Sequence, residues 1–137
     1  MFEQCQREIG ELHDFFEGWF TGALANTDEQ FARFADVMAE GFAIISPSGA
    51  LTERPALLSG LCAAYGRQPG VRIWTQNHQL RHHIGDLALL TYEEWQTTAA
   101  GTTGRLSTVL FQAQTEAPNG VAWLHVHETW LQPIFLQ

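Results

Sequence analysis

The sequence predicts an α+β fold: three N-terminal helices packed on a strongly curved antiparallel sheet. Three observations carry this expectation. Apolar residues recur at helical spacing from residue 7 to about residue 65, and from residue 71 the alternation has a period of two. Four long alternating stretches then follow one another with only short turn signals between them, the pattern of an antiparallel meander. Helices first and strands afterwards segregate into two layers, with the helices on one face of the sheet.

Taken in order, the first helix covers residues 7–25, where Ile9, Leu12, Phe16, Trp19, Phe20, Ala23 and Leu24 form one stripe. The acidic face of residues 3–17 reads as solvated helix surface. Thr27-Asp28-Glu29-Gln30 is a capping box that opens the second helix, with Phe31, Phe34, Val37 and Met38 inward and Glu40-Gly41 as its stop. Residues 42–45 form a short buried strand that ends in the turn Ser46-Pro47-Ser48-Gly49. Thr52 caps a third helix whose stripe is Leu57, Leu58, Leu61, Cys62 and Tyr65, closed by Gly66 and Pro69-Gly70. The long strands run over 71–83, 86–98, 103–116 and 121–131, and the last connection holds Asn119-Gly120, a strong hairpin signal. Strands this long coil, so the sheet should wrap the helices and leave an apolar hollow.

The 137 residues read as one domain, 1–137, large enough to bury a core without disulfide or metal staples. Seven arginines and no lysine stand against fifteen acids, a formal net charge of −8. This balance argues against nucleic acid and membrane surfaces as partners, since both select a basic footprint. The absence of lysine excludes Schiff-base and P-loop lysine chemistry. No apolar run approaches the ~18 residues of a membrane span. Cys5 and Cys62 lack zinc-ligand spacing, and the polar, acidic start is no signal peptide, so the expected compartment is the cytoplasm. No nucleotide or metal motif is present, and no cofactor is expected.

The order helix, helix, short strand, helix, four long strands is similar to the nuclear transport factor 2-like (SnoaL-like, cystatin-like) cone fold. Phe42-x-Ile44-x-x-Pro47-x-Gly49 followed by a helix resembles the first strand and third helix of SnoaL-like members. His125-Val126-His127-Glu128-Thr129 resembles the closing strand of the calcium/calmodulin-dependent kinase II association domain and its stand-alone bacterial relatives. The resemblance implies a pocket between sheet and helices. It implies no single activity, because this superfamily spans isomerases, dehydratases and non-enzymatic assembly domains. Ketosteroid isomerase-like members place an aspartate base on the strand where this chain has Ser46. Kinase-association domains line their pocket with arginines, of which only Arg105 has a counterpart here, with Glu128 at an arginine position.

Candidate site residues come from the late strands. Tyr92, Glu94 and Glu128 punctuate largely apolar strand faces, where a carboxylate must find a partner or shift its pKa. Arg105, the only cation among residues 82–137, is the partner for Glu128 or Glu94 and the candidate holder of a ligand carboxylate. The alternative for the same residues is a structural ion pair. His125 and His127 project from one face, about 7 Å apart, and join Arg105 and Trp130 as candidate ligand-binding residues. A metal there would need a third ligand from His78 or His83, and none is assigned. Trp74, Trp95 and Trp123, if they share the convex face, predict homodimerisation through the sheet. The expectation is a small-molecule-binding domain for a small organic anion. The alternatives are a cofactor-free acid–base enzyme (isomerase, dehydratase or hydrolase-like), with Tyr92, Glu94 and Glu128 as catalytic candidates, or a non-enzymatic homo-oligomeric assembly domain.

Overall fold

The first helix, α1 (Phe2–Thr21), buries Cys5, Ile9, Leu12, Phe15 and Trp19 along one stripe and ends at Gly22, whose left-handed φ of 80° closes the last turn. In this computed structural model, which describes residues 1–131, the remaining elements follow the expected order with one short strand, Leu51–Glu53, added before the third helix. The last six positions of the single domain expected over 1–137 lie outside the described residues. The elements are α2 (Asp28–Ala35), β1 (Met38–Ile45), β2 (Leu51–Glu53), α3 (Arg54–Ala63), β3 (Arg72–Ile84), β4 (Leu87–Thr98), β5 (Gly101–Ala113) and β6 (Val121–Trp130). They form one six-stranded sheet in the order β2-β1-β6-β5-β4-β3.

The meander β3–β6 is antiparallel throughout, as the turn signals required. β1 is the addition: it lies parallel to β6, so the sheet as a whole is mixed. β1 also begins earlier than expected. Val37 and Met38 are not helical, because Met38 already pairs with Trp123. The C-terminus of α2 is closed from a distance: Arg54 donates Nη2 to Ala35 O and Nε to Met38 O, both at 3.0 Å. Thr52 is not a cap. It pairs with Ile44 in the β1–β2 hairpin, and Glu53 takes the N-cap position without a side-chain bond. Cys62, expected inward, is exposed, and α3 stops at Ala63 before Tyr65.

β4 alternates along its length, with Ala88, Leu90, Tyr92 and Glu94 buried against the helices and the residues between them facing outward. Bulges break that alternation on the adjacent strand β3 and, beyond β5, on β6. In β3, Gln76 and Asn77 both reach Glu93, and Asn77 sits at φ 58°, a left-handed conformation that Asn tolerates. In β6, the register slips between Leu110↔His125 and Phe111↔Trp123. The slip places Trp123 on the helix side together with Val126 and Glu128. The three tryptophans therefore do not share a face: Trp74 and Trp95 pair on the outer side, while Trp123 is 2% exposed and packs on Phe111.

The acidic face of α1 is also not uniformly solvated. Glu8 is fully buried and accepts from Arg33 Nη2 at 2.8 Å, Trp123 Nε1 at 2.9 Å and Asn119 Nδ2 at 3.0 Å. One carboxylate thus ties α1 to α2, to the β5–β6 turn and to β6.

Candidate functional site

Three adjacent strands bring six side chains into a grid on the helix side of the sheet. Register places Tyr92 opposite Ser107 and Ser107 opposite Glu128; the next row is Glu94, Arg105 and Trp130. Facing residues of paired strands project to the same side, so this array follows from strand pairing alone. The helices do not fill the space above it. A cavity of about 290 Å³ remains, lined by Leu12, His13, Phe16 and Phe20 of α1, Phe34 of α2, and Leu57 and Leu61 of α3. Met38, Phe42 and Ile44 of β1 and Trp123 and Val126 of β6 complete the apolar wall. Tyr92, Glu94, Gln96, Arg105 and Glu128 supply its polar end.

His13 provides the cation that pairs with Glu94. Its Nε2 lies 2.8 Å from Glu94 Oε1, and its Nδ1 lies 2.7 Å from the Ile9 carbonyl. A carbonyl and a carboxylate only accept, so both ring nitrogens donate and the ring is held as imidazolium. Burial by itself disfavours that charge, but the Glu94 hydrogen bond and charge outweigh it, and the His13 pKa is raised above 6.5. Burial likewise opposes the Glu94 charge. His13 and the 2.7 Å bond from Gln96 Nε2 prevail, and Glu94 is lowered to about 2.

Arg105 donates Nη1 to Glu128 Oε1 at 3.0 Å and lies 5.0 Å over the Trp130 ring. Glu128 is 6% exposed, and burial together with the nearby Glu94 charge raises its pKa despite Arg105. The two carboxylates of the cavity are therefore driven in opposite directions. Burial also raises the Tyr92 phenol well above 10, so it stays protonated. Among the described residues, Arg105 Nε and Ser107 Oγ are buried without a hydrogen-bond partner.

The structure thus brings Tyr92, Glu94, Arg105 and Glu128 together, with Trp130 stacked at the rim on Arg105. It does not bring His125 and His127 there. They pair with Leu110 and Thr108, on the side of the sheet away from the cavity. His78, by contrast, stacks on Tyr92 at 6.2 Å, turned to the helix side by the β3 bulge, so the three imidazoles cannot share a metal. Among the described residues no cluster of three His, Cys, Asp or Glu is placed to hold a metal ion. Two participants were not anticipated from the sequence. Ser107 carries no signal of its own. His13 does carry one: it occupies a core position of the α1 stripe, one residue after Leu12 and three before Phe16, where an ionisable side chain is anomalous.

The family model Sucrose-6-phosphate phosphohydrolase C-terminal matches residues 5–132. Sucrose-phosphatase 1 of Nicotiana tabacum is 27% identical over 129 residues, covering 91% of this chain, and the chain spans only 30% of that protein's length. An NTF-2-like protein of unknown function from Pseudomonas aeruginosa has a TM-score of 0.85 at 29% identity, with 94% of this chain and 99% of that chain covered. The CaMKII hub of S. rosetta shares the fold at a TM-score of 0.59 and 15% identity, over 80% of this chain and 95% of that one. No helix among the described residues is long and apolar enough to cross a membrane. The architecture is the nuclear transport factor 2-like cone, and by the match over residues 5–132 the chain belongs to the sucrose-6-phosphate phosphohydrolase C-terminal family.

Proposed function

We propose that this chain is a small-molecule-binding domain whose cavity takes a small organic anion, held by Arg105. The observation that carries the reading is a guanidinium at the polar end of a cavity whose remaining wall is largely apolar. Among the described residues, only Nη1 of its five N–H donors is engaged with a carboxylate. Donor capacity left over inside an apolar cavity favours a ligand with an apolar body and one acidic end. The name of the family suggests a sugar phosphate as one probe. The apolar wall argues against it, because a disaccharide would bury many hydroxyls without partners.

The test is ligand-induced thermal stabilisation across aromatic and aliphatic carboxylates, their neutral amides and sucrose 6-phosphate. Carboxylates should raise Tm for the native chain and not for Arg105→Gln. If Arg105→Gln responds as the native chain does, the anion pocket is abandoned.

A second reading, acid–base catalysis without a cofactor, is supported by the opposed titration of Glu94 and Glu128 across one cavity. In that reading Glu128 exchanges the proton and Tyr92 donates. Isomerisation or dehydration is the reaction class. A third feature concerns assembly. Trp74 is 40% and Leu106 37% exposed on the outer sheet face, beside the half-buried Trp95, and this supports a homodimer formed through that face. The four charged groups that line the cavity favour a binding role beside assembly. The expected compartment remains the cytoplasm.

A further inference from the structure

The polar end of the cavity holds four charged groups whose formal charges cancel: His13 and Arg105 against Glu94 and Glu128. An incoming anion adds a fifth charge. Leaving it uncompensated in a buried site costs several kcal/mol, so some group must change its protonation. The groups that face Glu128 can be taken element by element. From α1 it is His13, already an imidazolium between two acceptors. From β4 they are Glu94, which already accepts from both His13 and Gln96, and Tyr92, which is neutral. From β5 it is Arg105, which stays charged. The lining from α2, α3 and β1 is Phe34, Leu57, Leu61, Met38, Phe42 and Ile44, none of them titratable. His78 of β3 stacks on Tyr92 outside this lining, and burial and the His13 charge lower its pKa, so it resists taking up a proton. Glu128 is therefore the one group of the cavity lining left to absorb a charge.

The geometry at Glu128 permits the exchange. It meets Arg105 through a single bond, Nη1 to Oε1, and not through a bidentate pair. A ligand carboxylate can take over that guanidinium without dismantling a larger network. A protonated Glu128 would then donate O–H to the same carboxylate, turning a repulsion into a charge-assisted hydrogen bond. We propose that the cavity binds a monocarboxylate together with one proton, drawn from solvent onto Glu128 as the ligand carboxylate replaces it beside Arg105. The raised pKa of the free Glu128 carboxyl is consistent with this, because burial and Glu94 already bias it toward the protonated form. The proposal rests on the anion-pocket reading above and adds its ligand charge and its proton coupling.

Calorimetric titration with benzoate and hexanoate, and with benzamide and hexanamide as neutral counterparts, tests it. Each titration is run in two buffers of different ionisation enthalpy, from about pH 5 to about pH 8. The expected result is uptake of about one proton per carboxylate bound at the upper end of that range, with affinity falling about tenfold per pH unit there. Glu128→Gln should bind the carboxylates with no proton uptake and a flat pH profile, while the amides bind without pH dependence to either chain. Carboxylate binding by the native chain with no proton uptake, or identical uptake by Glu128→Gln, overturns the proton coupling and leaves the anion pocket standing. Amides that bind as tightly as carboxylates, or no carboxylate bound at any pH, overturn the pocket reading itself. Should Glu128→Gln fail to fold, as judged by circular dichroism, Glu128→Asp replaces it, and uptake by that variant equal to the native chain's at every pH overturns the assignment to Glu128.

Discussion

His13 Nε2 lies 2.8 Å from Glu94 Oε1 and so joins α1 to β4 across 81 positions of sequence. Both side chains are below 10% exposed, at 3% and 9%. Removing one partner from such a pair strands the other as a buried charge. Glu94→Gln should therefore destabilise the fold by ~3 kcal/mol in urea unfolding, and His13→Gln by a similar amount. Replacing both should cost clearly less than the sum of the two. Strict additivity would show that the pair is not coupled.

The same pair sets a pH window for stability. Glu94 is lowered from 4.5 to about 2, so its contribution is complete above pH 4.5 and disappears as pH falls toward 2. His13 is raised from 6.5, so its contribution is complete below pH 6.5 and is lost as pH rises through its folded value. Glu128, raised from 4.5, adds stability at acid pH that is likewise lost as pH rises through its folded value. The urea midpoint should peak on the mildly acidic side of neutrality and decline in both directions. A midpoint still rising above pH 8 would contradict these assignments.

Glu8 is the second buried carboxylate whose partners come from distant sequence. Glu8→Ala removes the acceptor for Arg33, Asn119 and Trp123 at once, and should cost ~3–5 kcal/mol. Because Trp123 loses its Nε1 bond, its fluorescence should shift in the folded variant. An unchanged spectrum with unchanged stability would remove Glu8 from this role.

Gly104 is required by its neighbour. A Cβ there would lie 2.7 Å from Trp95 Cζ3, and Trp95 cannot move freely because its Nε1 donates to Glu93 at 3.0 Å. Gly104→Ala should destabilise by ~1–3 kcal/mol through overpacking. The paired change with Trp95→Leu should recover much of that loss in the same denaturation assay.

The outer sheet face makes a solution prediction. Sedimentation equilibrium of the native chain should return the mass of two chains, and Trp74→Glu combined with Leu106→Glu should return one. These side chains are exposed, so the folded content seen by circular dichroism should not change. A native chain that sediments as a monomer at micromolar concentration would rule out the sheet-face dimer.

What the sequence determined by itself is what local periodicity encodes. The 3.6-residue stripe of α1, the capping box whose Thr27 accepts from Gln30 N at 3.2 Å, and the turn after β3 at Gly85 are all short-range. The alternation of β4 is also local, and it placed Tyr92 and Glu94 on one face before any partner strand was known. Arg105 followed from composition, because no other cation stands among residues 82–137. Tertiary structure alone decided which cation meets which carboxylate. Arg105 reaches Glu128 and leaves Glu94 to His13, a residue that α1 presents only once it is docked on the sheet. Tertiary structure also decided the faces of β6, where the slip between Leu110 and Phe111 turns Trp123 to the side of Val126 and Glu128, while His125 and His127 alternate outward with them. A bulge adds one residue against a partner strand, so it exists only in the pairing and leaves no period of its own to read.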